Sequence, residues 1–504
     1  TTQIRRRFMR MRYLVILLPF LLLALAGTSY AWQGRMGGMG DPNGLVADES
    51  DFLIHPAKIA KGEGVRFYGD YRFTYTGVTD WNDLYDAYTP TGVFLSSSRS
   101  KVSGEELGHN GLLGSSFPLG PGRMGIFFTY EGMRGDYDGD ASGPDTSLEI
   151  KNDLDSFALR LLYGLPMGSF DLGAETQIAY RQERRGVNDY SAAGAVLNEL
   201  WIPYPFPPDR SRYGEALFKG SVEGKVGPLD LEFTLKGGFD FAGTSKWSYE
   251  LQSPLTEWDA KGDVQGWQIG GDLWVRYPLA TDLTLPVLVR IDYQTKTRDG
   301  KGPGGGSVTG SLFDYQDEER NLVITAGGGV DKEFGKATRI AAGIYYNFLQ
   351  RKEDFSYLDF SPTTWSINGM TYPDSIEHQL LVRMAGEHTL SRAVALRAGL
   401  NFFYGWVTGR IKYFFPLNSN TGFFDIEELS GHSCPHWGIG GSLGGTVKVK
   451  PLVLEPFVGG GYQQFRLNAP GVHFDTGGIY ALTNEKITRN QWFVTTGLSV
   501  LFDL

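Results

Sequence analysis

Apolar and polar residues alternate in segment after segment from Val65 to the last residue. One sample sets Leu322, Ile324, Ala326, Gly328 and Val330 against Asn321, Thr325, Gly327 and Asp331. Another sets Ile340, Ala342, Ile344, Tyr346 and Phe348 against Arg339, Gly343, Asn347 and Arg351. A period of two places each set on its own face of an extended strand. Repeated about sixteen times (range roughly 14–18), with short turns alternating with longer connections, the pattern predicts an all-β chain: a transmembrane antiparallel β-barrel. The strands are expected at about 64–76, 106–117, 123–137, 147–164, 168–184, 213–226, 228–243, 264–278, 282–297, 319–334, 337–352, 375–388, 393–412, 435–449, 452–467 and 486–502.

The connections fall into two kinds. Leu119-Gly120-Pro121-Gly122, Pro166-Met167-Gly168, Gly227-Pro228, Ala280-Thr281, Gly335-Lys336, Leu390-Ser391 and Pro451 carry turn chemistry. Between them fall longer stretches: 77–105, 138–146 (the one short case), 185–212, 244–263, 298–318, 353–374, 413–434 and 468–485. Strict alternation of short and long is the asymmetry of tight periplasmic turns and extended external loops. Propeller blades would repeat every 40–50 residues or so, and no such repeat is visible. Tyr163, Tyr180, Trp267, Tyr277, Tyr293, Tyr346, Tyr404 and Trp492 fall at or near the expected strand ends, as interface girdles do.

Ahead of the strands, Arg5, Arg6, Arg7, Arg10 and Arg12 precede an apolar run from Tyr13 to Ala26. That run is too short for a comfortable helical span and reads as a signal peptide. Ser29-Tyr30-Ala31 supplies a small-x-Ala cleavage site, so residues 1–31 are expected to be removed in export to a Gram-negative outer membrane. Residues 32–63 then form an N-terminal periplasmic or hatch segment, and 64–504 the barrel. Elsewhere no apolar run is long enough for a membrane helix. The single Cys434 excludes an internal disulfide and any multi-cysteine metal or redox site. Losing the signal, with its five arginines and no acid, moves the formal charge from −10 to −15. So acidic a chain argues against nucleic-acid binding and fits acidic outer loops that meet divalent cations.

With the apolar set facing lipid, the opposite face is mixed and charged. The expected lumen-lining residues are Arg72, Arg160, Arg181, Arg276, Arg290, Asp292, Arg339, Arg383, Glu387 and Arg397, with Asp70, Glu175, Asp272 and Asp331 among their neighbours. An Arg on the lipid face near the midplane would cost about 2–4 kcal/mol, so the segregation supports a wet interior. Two readings of these charges stand: a wall that selects solutes, or a ladder of cross-strand ion pairs that braces the barrel. The connection 185–212 carries Trp201, Tyr204 and Phe206 among prolines, a rigid aromatic stretch that can enter the barrel mouth as a constriction. The final strand places Leu498, Val500, Phe502 and Leu504 on one face, which resembles the C-terminal signal read by the barrel assembly machinery.

The stretch Met36–Gly62 (MGGMGDPNGLVADESDFLIHPAKIAKG) resembles the N-terminal region of the fatty-acid and hydrocarbon transporter family of FadL type and of related PorV-type barrels. Those proteins have a Gly-rich start, an Ala-x-Asp-Asp-like element and an Asn-Pro-Ala. Ala47-Asp48-Glu49 and His55-Pro56-Ala57 stand in those places, with His55 where Asn is usual. The resemblance implies that the segment folds into the barrel as a hatch, with Asp48, Glu49, His55, Pro56 and Ala57 as its marked residues.

Little in the chain suggests chemistry. His432, Cys434 and His436 share a face if the strand is regular, the weak outline of a soft-metal site without a fourth ligand. There is no phosphate loop at Gly335-Lys336, no haem attachment motif and no serine motif beside His388. No cofactor is expected, and the chain does not read as an enzyme. The pattern implies a channel or facilitator for passive passage of small molecules, hydrophobic ones past a hatch or polar ones through a general diffusion pore. A third reading is a scaffold sheathing a periplasmic partner such as a multihaem cytochrome. The expected partners are outer-membrane lipid and lipopolysaccharide, the assembly machinery and a small-molecule solute.

Overall fold

In the computed structural model of the protein, seventeen strand segments occupy sixteen positions around one closed antiparallel barrel. The structure describes residues 34–39, 44–46, 49–88, 94–140, 146–191, 210–250, 257–303, 312–361, 365–371, 374–418, 423–475 and 478–503. The expected signal peptide, Asp48, and Trp201, Tyr204 and Phe206 lie outside the described residues. The first strands are β1 (Arg66–Tyr88), β2 (Phe94–Leu119), β3 (Gly122–Asp140), β4 (Thr146–Met167), β5 (Phe170–Ser191) and β6 (Arg210–Val226). Next come β7 (Leu229–Glu250), β8 (Glu257–Ala280), β9 (Leu283–Pro303), β10 (Leu312–Phe334) and β11 (Thr338–Ser361). The last are β12 (Trp365–Thr371), β13 (Asp374–Thr389), β14 (Val394–Asn418), β15 (Phe423–Val449), β16 (Leu452–Asp475) and β17 (Gly478–Asp503).

Segments β12 and β13 share one position. Both pair with β11 and with β14, and only Tyr372 and Pro373 separate them. Each strand otherwise pairs with its neighbours in sequence, and β1 pairs with β17 from Arg66↔Asp503 to Tyr88↔Leu482, closing the sheet. The turns stand where their residues predict. Gly168 and Gly227 hold φ of 67° and 61°, a conformation side-chain-bearing residues rarely adopt.

The external ends differ from expectation. Much of the sequence between the expected strands continues the ladder; β1 and β2, for example, are separated by residues 89–93 alone. Alternation fades there for a physical reason. Beyond the bilayer neither face meets lipid, so the period-two signal disappears while backbone pairing persists.

Side-chain exposure inverts the usual order of a globular protein. Leu113, Leu235, Ile269, Ile344, Leu400 and Leu443 are exposed, whereas Arg160, Glu175, Asp272 and Arg276 on the other face are buried. On β10 the outward set runs Val330, Gly328, Ala326, Ile324 and Leu322, bracketed by Lys332 and Arg320. At about 3.3 Å per residue and a tilt of about 45°, the roughly 12 residues between those charges span about 28 Å, the height of a hydrocarbon band. Exposed Tyr180, Trp267, Tyr346, Tyr404 and Trp492 lie near its loop-side edge. Pairs such as Trp267–Tyr293 (5.2 Å between ring centroids) and Tyr75–Trp492 (5.1 Å) link neighbouring strands there. These aromatics therefore sit mid-strand and not at strand ends, because they mark the membrane boundary and the strands run past it.

Leu443 is 63% exposed on β15, about seven residues from the turn and so near the midplane, while its neighbour Ser442 points inward. Leu443→Arg is expected to cost about 2–4 kcal/mol, and Ser442→Arg less. Denaturant unfolding in lipid vesicles measures both.

Candidate functional site

The N-terminal segment runs along the inner wall at the turn-side end of the barrel. It comprises α1 (Gly34–Gly38) and two 3-10 turns, Glu49–Leu53 and Pro56–Lys61, the second opened by a proline at its first position. Two apolar clusters seat it. Phe52, Leu53 and Ile59 pack against Tyr68, Leu112, Phe127, Leu162 and Leu501 of the first four and last strands. Phe52, Tyr68 and Phe127 form an aromatic trio with centroids 5.2–5.5 Å apart. On the opposite side Met36, Met39, Leu45 and Val46 pack against Trp274, Leu288, Ala341, Tyr345 and Ala385. The wall is cut away where the segment lies: a Cβ at Gly173 would overlap the backbone of Ala57.

Charged groups of the wall reach the segment directly. Arg160 and Lys219 donate to the Leu53 carbonyl (2.6 and 2.8 Å), and both contact Glu175. The Ala57 N–H donates to Ser221 Oγ at 2.7 Å. Lys58 Nζ bridges Asp51 (2.7 Å) and Glu232 (2.8 Å), and Glu232 also pairs with Arg276. Burial works against the Lys58 charge, but Asp51 and Glu232 outweigh it and raise its ammonium above the ordinary range. His55 lies buried with Nδ1 2.7 Å from Thr234 Oγ1 and its ring edge-on to Trp274. Burial, only partly offset by Glu232, pushes its imidazole down to about 3. At the other end Arg35 donates to both oxygens of Glu387, which also accepts from Arg397.

The expected lumen residues occupy the inward register, mostly as ion pairs. Arg160 meets Glu175, Arg181 meets Glu215, Arg290 meets Asp272, Arg339 meets Asp331, and Asp292 meets Lys236 at 2.6 Å. Arg72 and Arg383 lie over the rings of Phe457 and Tyr345. The bracing arrangement thus describes most of this wall. A loop-side cluster was not singled out from sequence: Arg298 pairs with Asp317 and Glu319, and Arg351 with Glu319 and Glu353. Its members stand beyond the apolar band, where alternation no longer flags the inner face. Glu232, the acid on which the segment turns, shares inward parity with Thr234 and was equally legible by that rule.

The inner wall is uneven around its circumference. From β4 to β10 it carries the ion pairs at every height. From β13 to β17 charges gather at the two rims, Glu387, Arg397 and Glu455 at one and Glu377, His436 and Arg489 at the other. Between the rims, Arg383 apart, the inward residues are uncharged. Aromatic rings lie flat across glycines of the adjacent strand: Phe403 covers Gly438, and Phe493 covers Gly461.

At the suggested metal residues, the pairing of β15 with β14 shifts register between Gly431 and Cys434. His436 Nε2 sits 2.9 Å from Glu377. No cluster of three or more potential ligands occurs among the described residues. Glu49 begins the first 3-10 turn, and His55, Pro56 and Ala57 are buried against the wall.

A closed barrel with an outward apolar band and an inward charged register is an outer-membrane-type β-barrel. Solved structures similar to it include a TodX monoaromatic hydrocarbon channel (deltaS2 mutant), at TM-score 0.41 and 12% identity, covering 94% of this chain and 100% of that one. A FadL homologue from Pseudomonas aeruginosa aligns at TM-score 0.38 and 12% identity over 94% and 99% of the two chains. The toluene transporter TodX from Pseudomonas putida aligns at 0.39 and 11% over 94% and 98%. No family model and no curated protein matches the sequence.

Removing one partner of a buried ion pair strands the others. Glu232→Gln leaves Lys58 and Arg276 without their shared carboxylate and is expected to weaken docking of the segment by about 3–5 kcal/mol. Limited proteolysis between residues 49 and 62, slow in the parent and rapid in the variant, measures it.

Proposed function

We propose that the protein is an outer-membrane facilitator through which small hydrophobic compounds pass passively beside an N-terminal hatch. The observation that carries this reading is the seating of the described residues between Gly34 and Lys61 across the turn-side interior, at the foot of an arc of wall that is uncharged between its rims. A segment held by two apolar clusters and several charged hydrogen bonds restricts free diffusion of ions. The aromatic and glycine arc of β13–β17 offers an apolar solute a surface that costs it no exchange of hydration for charge. Export directed by residues 1–31, with a mature chain from Trp32, belongs to the same reading, as do partners in lipopolysaccharide and the assembly machinery.

The charged half of the wall, β4–β10, favours a second reading, a general pore for small polar solutes. A scaffold role sits less well, since a sheathed partner needs the lumen free of the segment.

Bilayer and vesicle measurements separate these readings. The intact protein is expected to show little steady conductance yet to raise uptake of a hydrophobic probe into liposomes. Deletion of residues 34–61 is expected to yield steady ohmic conductance. An intact protein that already conducts freely and does not favour the apolar probe would support the polar pore and defeat the facilitator.

The arc itself can be tested with Gly438→Leu. The added side chain must push the Phe403 ring off the wall, and probe uptake is expected to fall several-fold while the heat-modifiable band of the folded barrel is retained.

A further inference from the structure

His55 stands where a neutral imidazole is accommodated and a charged one is not. The ring is 1% exposed and held at Nδ1 by the Thr234 hydroxyl. Its other nitrogen, Nε2, has no hydrogen-bond partner among the described residues, lying 3.5 Å from Glu232 Oε2. The charged groups around it come from every element it touches: Asp51 and Lys58 of its own limb, Glu223 of β6, Glu232 of β7, Asp272 and Arg276 of β8, and Arg290 of β9. Each acid already has a base. Asp51 takes Lys58, Glu223 takes Lys61 at 2.7 Å, Glu232 takes Lys58 and Arg276, and Asp272 takes Arg290. A proton on His55 therefore adds a buried positive charge beside Lys58 that faces Glu232 alone, at 3.5 Å, and that carboxylate already takes Lys58 and Arg276.

We propose that His55 is an acid-sensitive latch: proton uptake by its imidazole releases the limb Glu49–Lys61 from β7 and β8. The consequence for flux rests on the reading of this limb as part of the barrier; the release itself does not.

The sign follows from the depressed value in the docked limb. A released imidazole titrates near 6.5 and the docked one near 3. Docking is then fully favoured above about pH 6.5 and weakens about tenfold per pH unit below it, or about 30-fold by pH 5.

Hydrogen–deuterium exchange of the Glu49–Lys61 peptide, corrected for the intrinsic pH dependence of exchange, reads this directly. It is run on the whole barrel in lipid from pH 7.5 to 5, beside hydrophobic-probe uptake. In the parent protein protection is expected to fall about 30-fold, with onset near pH 6.5. His55→Gln and His55→Asn, which keep a polar contact for Thr234 and cannot charge, are expected to show a flat profile. Constant protection in the parent overturns the latch, as does an equal fall in both variants. Should neither variant fold, the parent profile still decides, because protection that holds down to pH 5 leaves only carboxylates to respond below it and overturns the latch. A fall in protection with unchanged probe uptake upholds the latch and defeats the barrier reading.

Discussion

Closure of β1 on β17 is the interaction on which everything else depends. Within a bilayer no water is available to satisfy an open strand edge, and each unpaired backbone group costs several kcal/mol. The register that joins Arg66 to Asp503 and Tyr88 to Leu482 removes both edges at once, across more than four hundred residues of chain. Only after closure do the two faces become a lipid face and an enclosed face, and only then does burying charge inside make sense.

The enclosed face then solves a problem that closure creates. Some sixteen strands surround a space too wide for wall side chains to fill. One half of the wall answers with ion pairs between neighbouring strands, such as Arg160–Glu175 and Asp292–Lys236. The other half answers with rings laid over glycines, as Phe403 lies over Gly438. The N-terminal segment joins the two. Its ionic limb, with Asp51, His55 and Lys58, faces β7 and β8 on the charged side, while Met36 and Met39 sit among apolar side chains toward the other. One segment is thus matched to two kinds of wall.

Much of this was legible in the chain. Alternation marked the strands, and Gly168 and Gly227 marked turns. Parity alone sent Arg276, Arg290 and Arg397 inward, where they are found. The strand ends were not legible, because periodicity reports lipid contact and not backbone pairing. The pairing of β15 around His432 was not legible for a related reason. A single register shift resets the count of two, and nothing in the local residues announces it.

What the sequence determined by itself was a period, and with it the number of crossings, the two faces and the end of the barrel that carries the turns. These are local properties, set by where each Cβ points along its own strand. The tertiary structure decided which inward residues meet. Lys58 finds Glu232, and Arg35 finds Glu387 across 352 residues, because strand tilt and closure bring them to the same height and bearing. His55 draws its chemistry from the same source. Its ring is an ordinary imidazole in the sequence, and its affinity for a proton is lowered by a burial that only the closed barrel creates.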